Sequence, residues 1–206
     1  MIQNVVFDIG NVLVSYRPDV YLSKFVEDQE EIAYFQSICF GSEEWLAGER
    51  GLMDRGDIIE AICRKHPREA QRIRAIMEPC DSMLCASASN TAVVKKLYEA
   101  GIGTYYLSNT NDHAFQYMVS THAFFQYMNG GVVSYEHGIL KPSYEIFHLF
   151  LDCFSLPVES CVFVDDSPLN TRAAADVGFQ TVTLSHINDL REELSRFPVL
   201  TALLND

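Results

Sequence analysis

Four kinds of side chain in this sequence can do chemistry together: the carboxylates Asp8, Asp165 and Asp166, the hydroxyl of Ser108, the ammonium of Lys141, and the amides of Asn11 and Asn109. Most of them stand where an apolar run stops. Val5-Val6-Phe7 runs into Asp8, Thr104 to Leu107 into Ser108, and Cys161 to Val164 into Asp165-Asp166. A carboxylate at the end of a buried strand is costly unless something pairs with it. Three such carboxylates brought together cannot all stay ionised without a cation, and an all-oxygen shell that also accepts phosphate oxygens suits Mg2+. Neutralised in that way, Asp8 can attack phosphorus and form an aspartyl-phosphate. Lys141 can offset charge between Asp8 and the phosphoryl group. Ser108, Asn109 and the backbone N–H groups of Ile9, Gly10 and Asn11 can donate to the equatorial oxygens, where charge builds up.

The elements that would position these groups follow from the pattern. Short apolar runs closed by Gly, Asn, Ser or Asp read as buried strands entering loops. Val93, Val94, Leu97 and Tyr98 make a helical face ended by Gly101, where a C-cap glycine belongs. Lys141-Pro142 precedes a helix carrying Ile146, Phe147, Leu149 and Phe150, and Pro suits a first helical turn. Asn170 to Val177 reads as a helix ended by Gly178, and Gln180 to Leu184 as a further strand. Strands alternating with helices imply an α/β fold, a three-layer doubly wound parallel sheet whose strand ends share one edge. Residues 16–90 break this rhythm. Their apolar positions recur at helical spacing, no β run interrupts them, and they hold nine of the 15 basic residues, which predicts a helical insertion.

Composition excludes several functions. Apolar residues make up 48% of 206 positions, enough for a sizeable core, and the formal net charge of -13 leaves no basic face for nucleic acid. The six cysteines show no CxxC pair, which reads as free thiols in a reducing, cytoplasmic setting. The uncharged stretch from His113 to Tyr135 is too polar to span a membrane. A monomer or homodimer is expected.

The motifs resemble those of the haloacid dehalogenase-like hydrolases, most of whose members are Mg2+-dependent phosphatases. The first motif is Asp8-Ile9-Gly10-Asn11, the second Ser108-Asn109, the third Lys141-Pro142, and the fourth Asp165-Asp166 with Asn170. The resemblance implies a catalytic core of residues 1–15 and 91–206 with a C1-type cap at 16–90. It implies Asp8 as nucleophile and metal ligand, Asp166 as a second ligand, Asp165 as a supporting ligand or orienter, and the Gly10 carbonyl as a further ligand. It implies a small phosphorylated substrate. A subgroup with a Gly-Asn-Val first motif, like Gly10-Asn11-Val12 here, includes sugar-phosphate phosphatases.

One position departs from the family pattern. Most family phosphatases carry a second Asp two residues after the nucleophile, as general acid and base; here that residue is Gly10. Such help is worth roughly 10²–10⁴-fold. The gap leaves a substrate with a good leaving group, a recruited residue such as Asn11 or Glu49, or a weak enzyme. In the cap, Trp45, Glu49 and Arg50 are the candidate substrate contacts. Arg17 and the run Arg64, Lys65, Arg68, Arg72 and Arg74 read as solvated charges. Ser108-Asn109 and Asn170 also suit helix N-caps. Two rival readings remain: a 2-haloacid dehalogenase, whose aspartate attacks carbon without metal, and a phosphate-binding or regulatory protein on the same fold.

Overall fold

Val5, Val6 and Phe7 are wholly buried because the strand they form, β1 (Asn4–Phe7), is covered on both faces. The computed structural model describes residues 1–204. After β1 come a short strand β2 (Val14–Ser15) and five helices, α1 (Pro18–Leu22), α2 (Gln29–Phe35), α3 (Glu43–Glu49), α4 (Arg55–Lys65) and α5 (Ala70–Met77). A π-helical turn, Gln36–Phe40, extends α2. The chain returns through β3 (Cys85–Ala86), which pairs antiparallel with β2. The helical segment is thus joined to the rest by two strands lying side by side.

The remainder alternates: α6 (Ala88–Glu99), β4 (Gly103–Ser108), α7 (Asp112–Thr121), β5 (Gly130–Val133), α8 (Ser134–His137), α9 (Tyr144–Phe154), β6 (Cys161–Asp165), α10 (Pro168–Val177), β7 (Gln180–Thr183), α11 (Leu190–Leu194) and α12 (Pro198–Leu204). The five longer strands form one parallel sheet in the order β5-β4-β1-β6-β7, the doubly wound α/β fold implied by the sequence. Side chains alternate across it as a strand requires. Val6, Leu107 and Phe163 pack with Ile146, Phe147 and Phe150 of α9 on one face. Val5, Phe7, Val162 and Val164 face the other way, into a cluster that includes Val93, Val94 and Leu97 of α6 and continues into the helical segment through Val14, Met83 and Leu84.

Three local expectations are revised. Pro142 does not open α9: the helix begins at Tyr144 with Ser143 as its N-cap residue, and the Lys141-Pro142 peptide is cis. The N-cap of α7 is Asn111, whose side chain accepts from Ala114 N at 3.0 Å, so Ser108 and Asn109 are free of that duty. The residue flanking α10 is Ser167, and Asn170 lies inside the first turn.

Candidate active site

In a parallel sheet the strand ends share an edge, and the register brings the motif residues level. Phe7 lies opposite Tyr106 of β4 and Val164 of β6, so the next residue, Asp8, is level with Asp165 and beside Ser108. The strand order reverses around β1, which places this edge at the point where open α/β sheets bind ligands. Ligand oxygens of Asp8, Asp165 and Asp166 all fall within 4.8 Å of one another.

Lys141 sits at the centre of the group. Its side chain is only 1% exposed, and Nζ lies 2.9 Å from Asp8 Oδ1 and 2.6 Å from Asp165 Oδ2. Burial opposes its charge, yet the two carboxylates outweigh that and hold its pKa above the ordinary lysine value. Asn109 fixes the lysine by its backbone: the amide Nδ2 donates to Lys141 O at 3.0 Å, and Lys141 N donates to Asn109 Oδ1 at 2.9 Å. Asp165 is 0% exposed and fully engaged. Its Oδ1 accepts from Ser167 N at 2.8 Å, and Asn170 Nδ2 reaches both of its oxygens at 3.0 and 3.1 Å. That pattern makes Asp165 an anchor for Lys141.

Asp166 lies across from Asp8 and keeps more solvent. Burial raises its pKa, with Asn11 Nδ2 opposing by donating to Oδ2 at 3.0 Å. Asn11 takes the left-handed conformation, φ 52°, which Asn tolerates, and its Oδ1 accepts from Tyr16 N at 3.0 Å. The first-motif loop is thereby tied both to Asp166 and to the chain leaving the core. Asp8 Oδ1 accepts from Ile9 N at 2.7 Å and from Lys141. Burial drives the Asp8 carboxyl up to about 7, with Lys141 opposing and Asp165 and Asp166 adding to the rise. One ammonium does not balance three carboxylates at this edge. The all-oxygen donors and their uncompensated charge fit Mg2+.

The edge opens into a cavity of about 210 Å³. Asp8, Ile9, Gly10, Asn11, Ser108, Asn109 and Asp166 line its polar end; Trp45, Glu49, Met83 and Leu84 wall it from the helical segment and its return. Trp45 is buried against Phe40, ring centroids 5.2 Å apart, and its indole Nε1 donates to Glu49 Oε1 at 3.2 Å. Burial raises the Glu49 pKa, with the Trp45 bond and Lys141 opposing. Arg50 is exposed and outside the cavity lining. Arg17 pairs with Asp19, and Lys65, Arg72 and Arg74 pair with Glu44, Glu31 and Glu60 at the surface.

Sequence reasoning missed Asp81, which lines the cavity and is held by Arg55 (2.6 and 2.5 Å) and by His113 Nδ1 at 2.8 Å. The three come from separate elements, and no local spacing links them.

Residues 2–178 match the haloacid dehalogenase-like hydrolase family. The chain belongs to that family. It is 25% identical over 173 residues to a sesquiterpene phosphatase of Aspergillus oryzae, covering 84% of this chain and 85% of the relative. It is 26% identical over 210 residues to a D-ribitol-5-phosphate phosphatase of Bacteroides thetaiotaomicron, covering 95% and 98%. A haloacid dehalogenase-like enzyme of the same bacterium, solved with magnesium and inorganic phosphate, superposes with a TM-score of 0.70 at 24% identity over 89% of this chain and 94% of that one. The protein is thus a hydrolase of the haloacid dehalogenase-like family, similar over most of its length to phosphatases.

Proposed function

We propose that this hydrolase is a Mg2+-dependent phosphatase that cleaves a small phosphorylated metabolite through an aspartyl-phosphate on Asp8, with residues 16–90 acting as a cap over the site. The observation that carries this reading is the placement of Asp8. Its Oδ1 is held by Lys141 and Ile9 N, which leaves Oδ2 as the attacking oxygen at the polar end of a cavity. Asp8, Asp166 and the Gly10 carbonyl would hold the magnesium, which neutralises carboxylate and phosphoryl charge when bound. Asp165, whose oxygens are taken by Lys141, Asn170 and Ser167, orients the lysine.

Lys141 stays protonated and stabilises charge passing from Asp8 to the phosphoryl group. Ser108 and the loop N–H groups donate to the equatorial oxygens. Closure of the cap over the cavity would exclude bulk water during transfer. Its lining also includes the apolar side chains of Val14, Trp45, Met83, Leu84 and Met118. With relatives named for a sesquiterpene and for ribitol 5-phosphate, both sugar or polyol phosphates and prenyl phosphates belong in the substrate test.

The test is phosphate release from such a panel, with and without Mg2+, beside Asp8→Asn. Expected is metal-dependent release that Asp8→Asn lowers by at least ~10³. Equal activity in the mutant refutes the mechanism. Metal-independent chloride release from 2-chloropropionate would establish the dehalogenase reading that the missing second Asp favours.

A further inference from the structure

The phosphatase reading leaves a proton unassigned. The leaving oxygen must gain one and the attacking water must lose one, yet position 10 is a glycine. We propose that the carboxyl of Glu49, brought to the cavity by α3, makes both transfers. The inference rests on the phosphatase reading and adds to it the group that moves the protons.

Three observations support it. First, Glu49 is anchored to the core. The buried Ser134, which directly follows β5, donates from Oγ to the Glu49 carbonyl at 2.6 Å, and Thr110 N donates to the same Oγ at 3.0 Å. Gly51, two residues on, passes so close to the Tyr135 carbonyl that a Cβ would collide with it. The Glu49 backbone is therefore held, through Ser134, against the loop that follows Ser108, and Glu49 lines the cavity.

Second, one carboxyl oxygen is spoken for and the other is not. Trp45 Nε1 donates to Oε1 at 3.2 Å, leaving Oε2 to carry the proton. Burial raises the Glu49 pKa, so the acid form persists to higher pH than for an exposed glutamate.

Third, the other titratable groups of the lining are unsuited. Asp81 is taken by Arg55 and His113. The Cys80 thiol is pushed up to about 12 by burial, and burial raises the Tyr16 phenol as well. Asp8 is the nucleophile and Asp166 belongs to the cation site. Asn11, the other candidate from the sequence, spends its amide on Asp166 and Tyr16 and has no proton to exchange.

The proton balance closes. Asp8 Oδ2 attacks phosphorus while the bond from phosphorus to the leaving oxygen breaks, and Glu49 delivers its proton to that oxygen, releasing the alcohol. The Glu49 carboxylate then takes a proton from water as the water oxygen attacks the aspartyl-phosphate. The bond from phosphorus to Asp8 breaks, phosphate leaves, and Asp8 and protonated Glu49 are regenerated.

The test compares two probes of similar shape, benzyl phosphate, whose alkoxide must be protonated to leave, and 4-nitrophenyl phosphate, whose phenolate need not be. With Mg2+, Glu49→Gln is expected to lower kcat/KM for benzyl phosphate by ~10²–10⁴ and for 4-nitrophenyl phosphate by less than ~10-fold. The same variant should give a burst of 4-nitrophenol followed by slow turnover, because the phosphoenzyme awaits a base.

A Cβ built on Gly10 meets nothing closer than Tyr16 Cβ at 3.9 Å, so the backbone there admits a side chain. Adding Gly10→Asp to Glu49→Gln should recover benzyl phosphate hydrolysis at least ~10-fold, since it supplies a new proton carrier. Equal losses on both probes, or none, overturn the assignment of Glu49, while an inactive Asp8→Asn leaves the phosphatase reading standing. A wild-type protein that releases phosphate from neither probe overturns both.

Discussion

Lys141 shows at the scale of one residue how the site is held. It is a buried cation that exists only because Asp8 and Asp165 flank it, and Asp165 in turn is buried only because Lys141, Asn170 and Ser167 satisfy it. Removing one partner of such a pair strands the other. Lys141→Met should therefore lower unfolding free energy by about 3–5 kcal/mol, read from urea melts, as well as abolish turnover. Unchanged stability would mean that Asp165 finds its neutral form or water at no cost.

The chemistry at this scale was legible because Asp8, Ser108 and Asp165 each end a hydrophobic run, and a parallel sheet gathers such ends. The partnerships that hold them were not. Nothing in the spacing says that the Asn109 amide grips the backbone of Lys141, or that Asn170 reaches back to Asp165 instead of capping α10. Those bonds depend on how two loops meet.

At the scale of elements, the ribbon of β2 and β3 and the contact of Glu49 and Gly51 with Ser134 and Tyr135 join the helical segment to the sheet edge. Gly51 has φ +69°, and its close approach to Tyr135 leaves no room for a methyl group. Gly51→Ala should cost more than ~1 kcal/mol in stability, since the left-handed backbone is strained for alanine. It should also lower kcat/KM on the panel by displacing Glu49, and a neutral effect on both would argue against this contact holding the cap in place. The helical character of residues 16–90 was visible in apolar periodicity, and α3 and α4 start where Ser42 and Asp54 can cap them. What periodicity could not give is which loop touches the core. Trp45, Glu49 and Arg50 are neighbours in sequence, yet the turn after α3 sends Arg50 to solvent while the other two line the cavity.

At the scale of the whole molecule, a chain of formal charge -13 gathers three of its carboxylates at one sheet edge against a single lysine. On the proposed reading, that concentration is what a divalent cation would neutralise. Mg2+ at 100 times its Kd should stabilise the protein by ~2.7 kcal/mol, seen as a rise in Tm that chelation reverses and Asp166→Asn abolishes. An equal Tm with and without the ion would leave the acidic edge unexplained.

The central claim is that Asp8 takes up the phosphoryl group. Acid-quenching the enzyme during turnover of a panel substrate, then locating the phosphoryl group by peptide mass spectrometry, tests it directly. The account predicts a labelled peptide bearing Asp8, absent in Asp8→Asn. A phosphoryl group on any other residue would contradict it, as would an enzyme that turns over while Asp8 never becomes labelled.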